Sequence, residues 1–179
     1  MHSSQDFGSA RTGWTQVEMV ARNSLVGGLV EFSVSGGLMV FDAPSVGGML
    51  GAGFKFELWD DILAFELPAR FIIGGSNPVD TTHFYPRLIA SVPFSEMVEL
   101  NLSATRYYYA KGDFDGPDGY AVGFAFGKRG EMIIRPEFGV LYYPYIDEPT
   151  YQIGIGFTPA GGKLNSNSRR DAAIESTPF

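Results

Sequence analysis

The sequence predicts an all-β protein, in the form of an up-and-down antiparallel barrel of eight strands that spans a membrane. Three observations lead to this fold class. Apolar and polar residues alternate along successive segments, short and long connections alternate between those segments, and small residues alternate with bulky apolar ones within them. The composition agrees with a sheet, because 15% of the 179 residues are aromatic, 23 are glycine, and lysine is scarce.

Period-2 alternation defines the eight strands. They are predicted at residues 29–41, 48–58, 63–73, 83–92, 98–109, 120–126, 132–143 and 151–158. Most have about the 9–11 residues that a tilted strand needs to cross the hydrocarbon core of a bilayer. Pro68, Pro86 and Pro136 lie inside these segments. We expect bulges or breaks there, because proline has no backbone N–H for the ladder.

The lengths of the connections suggest a location. Short turns are predicted at 59–62, 93–97 and 127–131, and mostly longer connections, rich in Asp, Gly and Pro, at 42–47, 74–82, 110–119 and 144–150. Bacterial outer-membrane barrels have an even number of strands with short periplasmic turns and longer extracellular loops. We therefore predict that residues 28–158 form a transmembrane barrel in a bacterial outer membrane.

The two flanks are interpreted separately. Residues 1–27 form an N-terminal leader that stays unassigned, because its weak pattern fits a short strand and a helix equally well. Residues 1–13 contain no apolar stretch, so we expect that an export signal has been removed from this sequence. Residues 159–179 are polar without an apolar period, which predicts a flexible periplasmic tail.

Residue size indicates which face of the strands points inward. Alternation alone does not decide, since a soluble lipocalin-like barrel alternates with its apolar face inside. The interior of a small barrel has little room. The last strand alternates bulky with mostly small residues, namely Tyr151, Ile153, Ile155 and Phe157 against Gln152, Gly154, Gly156 and Thr158. The glycine face is therefore predicted to point inward and the bulky face outward into lipid.

The ends of the predicted strands are rich in aromatic residues. These are expected to form two girdles at the membrane interfaces. The girdle at the long-connection end includes Tyr85, Tyr107, Tyr108, Tyr120, Tyr142 and Tyr143, and the one at the short-turn end includes Trp59, Phe94, Phe126 and Phe157. Arg106 is expected on the lipid face, near enough to the end of its strand to reach headgroups.

The inward positions carry charges of both signs. They are Glu31, Lys55, Glu57, Glu66, Arg70, Arg87, Glu99, Arg135 and Glu137. Because these charges nearly cancel, we expect ion pairs across the lumen that fill the barrel and leave no wide aqueous path. The main interpretation is a structural polar core, and a gated or selective channel is the alternative.

Signals for catalysis, metal binding and nucleic-acid binding are weak. His83 has no serine two residues after it, unlike the His-x-Ser pair of the small outer-membrane lipid A deacylases. Asp113, Asp115 and Asp118 offer oxygen ligands for calcium, but their loop lacks the bidentate Glu of an EF-hand. We expect no enzymatic activity, cofactor or metal. A net charge of -7 without basic runs argues against nucleic acid as a partner, and the absence of cysteine excludes disulfides.

In its eight strands, its connection lengths and its last strand, the chain resembles the small outer-membrane barrels of the outer-membrane protein A and opacity type. In those families such a strand is the recognition signal for the barrel-assembly machinery. The resemblance implies that role for Tyr151, Ile153, Ile155 and Phe157. The tail resembles a linker toward a periplasmic or envelope protein.

The expected function is that of a non-enzymatic barrel, surrounded by outer-membrane lipid, that acts in envelope integrity or as a binding surface. Three alternatives stay open at this point. They are a narrow pore or small-solute channel, a lipid-modifying outer-membrane enzyme, and a soluble lipocalin-like ligand-binding barrel.

Overall fold

The computed structural model describes residues 2–5, 14–26, 29–41, 45–59, 62–74, 81–110, 115–127, 132–144 and 147–158. Within these ranges the regular structure is a single antiparallel sheet of eleven strands. The strands are β1 (His2–Gln5), β2 (Trp14–Val26), β3 (Val30–Phe41), β4 (Ser45–Trp59), β5 (Leu63–Gly74), β6 (Thr81–Phe84), β7 (Arg87–Pro93), β8 (Val98–Tyr109), β9 (Asp115–Phe126), β10 (Ile133–Tyr142) and β11 (Thr150–Thr158). No helix in these ranges is long and apolar enough to cross a membrane.

The strands follow an up-and-down order. β2 pairs with β3, β3 with β4, and β4 with β5. β5 pairs with both β6 and β7, and each of these two short strands pairs with β8. Pairing continues from β8 through β9 and β10 to β11. The short strand β1 lies between β2 and β11, with His2 opposite both Gln16 and Gly154. The prediction of an all-β, antiparallel, up-and-down sheet is confirmed.

The number of strands differs from the predicted eight for two reasons. The predicted strand at 83–92 is divided into β6 and β7, and the segment left unassigned at the N-terminus contributes β1 and β2. The alternation in β2 has two exceptions. Apolar Val20 lies on the same side of the strand as Glu18, and polar Asn23 is exposed on the other side, between Ala21 and Leu25. A strand with such exceptions gives little period-2 signal.

Two prolines are gathered at one interruption of the ladder. Pairing of β5 with β7 ends at Glu66, pairing with β6 begins at Ala69, and Pro68 lies between them. Pro86 lies in the matching gap between β6 and β7. The gap is bridged by other groups, because Tyr85 N–H donates to the Pro68 carbonyl and Arg106 N–H to the Pro86 carbonyl, both over 3.1 Å. Two residues without N–H donors therefore share one break.

Pro136 interrupts the pairing of β10 with β9 without changing its register. The aligned pairs are Ile134 with Phe126 and then Glu137 with Gly123. On its other side β10 pairs continuously with β11. The breaks expected from the prolines are thus local, and they leave the face of each strand unchanged.

The two faces of the sheet differ sharply in chemistry. On β11 the bulky Tyr151, Ile153 and Ile155 are exposed, whereas Gln152 and Gly154 are buried. On β9 the same contrast holds between exposed Tyr120, Val122, Phe124 and Phe126 and buried Gly123 and Ala125. We refer below to the exposed face, which is bulky and apolar, and to the buried face, which carries small and polar residues.

Three tyrosines assigned to the outer girdle lie on the buried face instead. Tyr85, Tyr107 and Tyr143 are 1%, 2% and 6% exposed, and together with Leu141 they form an apolar cluster. The rings of Tyr85 and Tyr107 stack with centroids 5.4 Å apart. Tyr107 and Tyr108 are neighbours in one strand, so only one of them can face outward. Composition at a strand end does not reveal which.

Candidate functional site: the charged buried face

A row of alternating charges crosses four strands of the buried face. The register aligns Glu31 with Lys55, Lys55 with Glu66, and Glu66 with Arg87, and we call these four residues the charged row. Lys55 Nζ lies 3.8 Å from Glu31 Oε2, and Arg87 Nη1 lies 3.5 Å from Glu66 Oε2. No side chain of the row is more than 7% exposed. Opposite charges at adjacent cross-strand positions offset the cost of removing each from water.

A third ion pair reaches across the sheet from β5 to β2. Arg70 Nη2 donates to both carboxylate oxygens of Glu18, over 2.9 and 2.7 Å. The cross-strand partner of Glu18 on β3 is Gly37, and that of Arg70 on β4 is Gly51. Adjacent strands are about 4.8 Å apart, so two long side chains meet here only because the strands between them carry small residues. Gln16 Nε2 also donates to Glu18, over 3.1 Å.

Tyr85 joins the two sets of charges. The guanidinium carbons of Arg70 and Arg87 lie 5.3 and 5.6 Å from the centroid of its ring. Both distances are within the range of a cation–π interaction, which gains strength when the groups are shielded from water. Each guanidinium is thus held by the ring and by a carboxylate of its own. Because Tyr85 also stacks on Tyr107, the charged groups and the tyrosine cluster form one packed unit.

The buried face continues with polar contacts on the following strands. Arg87 Nε donates to Thr105 Oγ1 over 3.2 Å, which extends the charged row to β8. Ser91 Oγ donates to Asn101 Oδ1 over 2.7 Å. Glu99 on β8 is also buried.

Most of the predicted lumen residues lie on the buried face. Glu31, Lys55, Glu66, Arg70, Arg87, Arg135 and Glu137 are all buried. Glu57 is only partly buried. The structure brings the charged row and Arg70 together through Tyr85. Arg135 and Glu137 lie on β10. Two strands, β8 and β9, lie between β10 and β7, the strand that carries Arg87.

Glu18 is a residue of the buried face that the sequence interpretation missed. It lies in the segment left unassigned, although it is the residue that pairs with Arg70. One signal was present, since Gln16 and Glu18 alternate with Val17 and Met19 as polar and apolar residues of a strand do. His83 is the first residue of the predicted strand at 83–92. It is fully buried, with its ring edge-to-face with Tyr109 at a centroid distance of 4.9 Å.

Asp118 is the one aspartate of the acidic loop whose side chain lies in the described part of the chain. Asp118 pairs with Arg106, whose Nη1 lies 2.9 Å from Asp118 Oδ2. Asp113 and the side chain of Asp115 lie outside the described part. Among the described residues, no group of three or more His, Asp or Glu side chains could hold a metal ion.

Little empty space is left beside the charged row. A cavity of about 20 Å³ lies between Glu31, Lys55 and Glu66, where Ser33 and Ser35 contribute small side chains. A water molecule needs at least about 10–15 Å³ when volume is measured in this way. The cavity is therefore the size of about one water molecule.

We predict that Arg70→Met lowers the free energy of unfolding by about 3–5 kcal/mol, because it leaves the Glu18 carboxylate buried without its main partner. Arg70→Met combined with Glu18→Met should recover much of this loss. Arg106→Met is the control, since it removes one partner of an exposed pair and should cost no more than about 1 kcal/mol. Equilibrium unfolding in urea measures all three. A loss for Arg70→Met no larger than that for Arg106→Met would contradict the buried pair.

No family model matches the chain, and no curated protein or solved structure gives a match. The function proposed next therefore rests on the residues of this chain.

Proposed function

We propose that the sheet closes into a barrel that spans a bacterial outer membrane. The pairings support this closure. From β4 they pass through β3, β2, β1, β11, β10, β9 and β8, then through β6 and β7 to β5, which pairs again with β4. Such a ring has ten positions, since β6 and β7 share one. A closed ring suits a bilayer, because no backbone edge is left in contact with hydrocarbon.

The observation that carries the proposal is the polarity of the two faces. Apolar side chains stand exposed along the middle of the strands, including Leu50 at 60% and Ile153 at 59%. Arg70 and Arg87, by contrast, are each 1% exposed. A barrel dissolved in water has the opposite arrangement, with its apolar face covered. Lipid is the surrounding medium in which this arrangement is stable.

Exposed aromatic residues at the strand ends add support. Tyr108 and Tyr142 are 47% and 52% exposed at the ends of β8 and β10 that meet the long connections. Tyr120, also 52% exposed, lies opposite Val140, two residues before the end of β10. Trp59, Phe94, Phe126 and Phe157 are 44–64% exposed near the short turns. Aromatic side chains gather at the two interfaces of membrane barrels, where the ring contacts lipid tails and the polar group meets water.

The buried face is proposed to act as a sealed structural core, so that the protein works without catalysis and without conducting solutes. The ion pairs, the tyrosine cluster and the water-sized cavity support a filled lumen. The role of the protein would then lie in its surfaces, either in envelope integrity or as a binding surface. We propose in addition that a periplasmic or envelope protein binds residues 159–179.

We also propose that β11 is recognised by the barrel-assembly machinery, as in the outer-membrane barrels that the sequence resembles. Its bulky side chains share the exposed face, where a partner strand or lipid can reach them. They are Tyr151, Ile153, Ile155 and Phe157.

The membrane location predicts a depth-dependent effect of charge. Ile155 lies inside β11, whereas Phe157 lies one residue from its end. Ile155→Arg should cost about 2–4 kcal/mol, and Phe157→Arg about 0–1 kcal/mol, because an arginine near the interface reaches water. Unfolding from lipid vesicles measures the difference. Two equally small losses would indicate that the exposed face is not in lipid.

The sealed lumen predicts that the unmodified protein gives no conductance steps in planar bilayers. Tyr85→Ala should produce small steps, because it removes the ring that contacts both Arg70 and Arg87. Tyr142→Ala removes a tyrosine from the exposed face and should stay silent. Regular steps from the unmodified protein would instead support the narrow pore.

A further inference from the structure

The contact between Lys55 and Glu31 in the charged row is longer than a hydrogen bond. Lys55 Nζ lies 3.8 Å from Glu31 Oε2. A hydrogen bond from nitrogen to oxygen measures about 2.7–3.2 Å. Both side chains are nearly inaccessible, at 5% and 4% exposed, so bulk solvent does not reach this contact. Two polar groups at such a separation are commonly joined by a water molecule that lies between them.

Gly53 provides space next to this contact. Its register neighbours are Ser33 on β3 and Pro68 on β5. A Cβ at Gly53 would lie 2.9 Å from Pro68 Cα, so a larger residue would force the backbone to shift. Because Gly53 has no side chain, a cavity of about 20 Å³ lies beside Lys55, and the ring of Tyr85 lines it. This volume exceeds the minimum of about 10–15 Å³ that one water molecule needs.

The lining of the cavity offers both donors and acceptors of hydrogen bonds. It includes the side chains of Lys55, Glu31, Glu66, Ser33 and Ser35. The ammonium group only donates, the ionised carboxylates only accept, and the hydroxyls do either. A water molecule can accept from the ammonium and donate to the carboxylates. Apolar cavities stay dry, whereas a polar cavity with several partners holds water.

We propose that one water molecule is bound between Lys55, Glu31 and Glu66 as a fixed part of the buried face. Lys55 lies between these two acids, because Glu31 is its cross-strand partner on β3 and Glu66 its partner on β5. Through the water, one base therefore serves two carboxylates. This site goes beyond the proposed function, and it does not depend on the membrane location because all its side chains lie on the buried face.

The lysine at position 55 agrees with a bridging water. Arg70 and Arg87 approach carboxylates to 2.7 and 3.5 Å, closer than Lys55 approaches Glu31. A guanidinium carries more donors than an ammonium and holds them in a rigid fork. At position 55 this larger group would occupy the cavity and contact the carboxylates itself. Lys55→Arg should therefore keep the charge and displace the water.

The test is a crystal structure of the full chain in detergent, at a resolution that shows ordered waters at the strand ends. A solvent peak should lie in the cavity, within hydrogen-bond distance of Lys55 Nζ and of at least one carboxylate. Lys55→Arg should remove this peak. Ser33→Val, which places methyl groups against the cavity, should also remove it. The matched control is Ser103→Val, which makes the same change on the buried side of β8 and should leave the peak in place.

Three results would overturn the proposal. The first is an unmodified protein with ordered waters at the strand ends and no peak in the cavity. The second is a direct hydrogen bond between Lys55 and Glu31 in place of the peak, and the third is a peak that survives both Lys55→Arg and Ser33→Val. Each variant is first shown to be folded by the heat-dependent mobility of its band on a semi-native gel. If a variant does not fold, the unmodified protein still decides between the first two results and a bound water.

Discussion

Burying many charged side chains in a small space is costly unless each meets an opposite charge, and the rest of this fold follows from how that condition is met. The charged row satisfies it by alternating sign from strand to strand, from Glu31 to Arg87. Arg70 satisfies it by reaching Glu18 on a distant strand. Tyr85 holds both guanidinium groups, so the polar contacts join with the tyrosine cluster instead of forming isolated pairs.

Room for these side chains comes from the small residues of the same face. Gly37 and Gly51 lie at the register positions of Glu18 and Arg70, and Ser33 and Ser35 border the small cavity. The other face carries most of the exposed bulky residues and is apolar along most of its length, while the tyrosine cluster is packed on the charged face. The division into a charged buried face and an apolar exposed face thus follows from a single constraint, the space that the charged side chains need. It is also the reason to propose lipid as the medium around the sheet.

The sequence alone predicted the strands with regular alternation and the exposed residues of β9 and β11, because bulky apolar residues alternate there with mostly small ones. It did not reveal β2, whose inward Val20 and exposed Asn23 weaken the period. Glu18 was missed with that strand. Tyr85, Tyr107 and Tyr143 were placed on the wrong face because the girdle was assigned from the aromatic content of the strand ends. The period of β8 itself puts Tyr107 on the same side as Glu99 and Asn101. Pairing between distant residues, such as Arg70 with Glu18, depends on register across several strands and has no local pattern.

The measurement that tests the account most directly is the state of the purified chain with and without detergent. The account predicts a monodisperse species with a β-type circular dichroism spectrum in detergent, and aggregation when the detergent is removed, because the apolar face has nothing else to cover it. A stable, folded monomer in plain buffer would contradict the account, since exposed residues such as Leu50 and Ile153 would then be facing water.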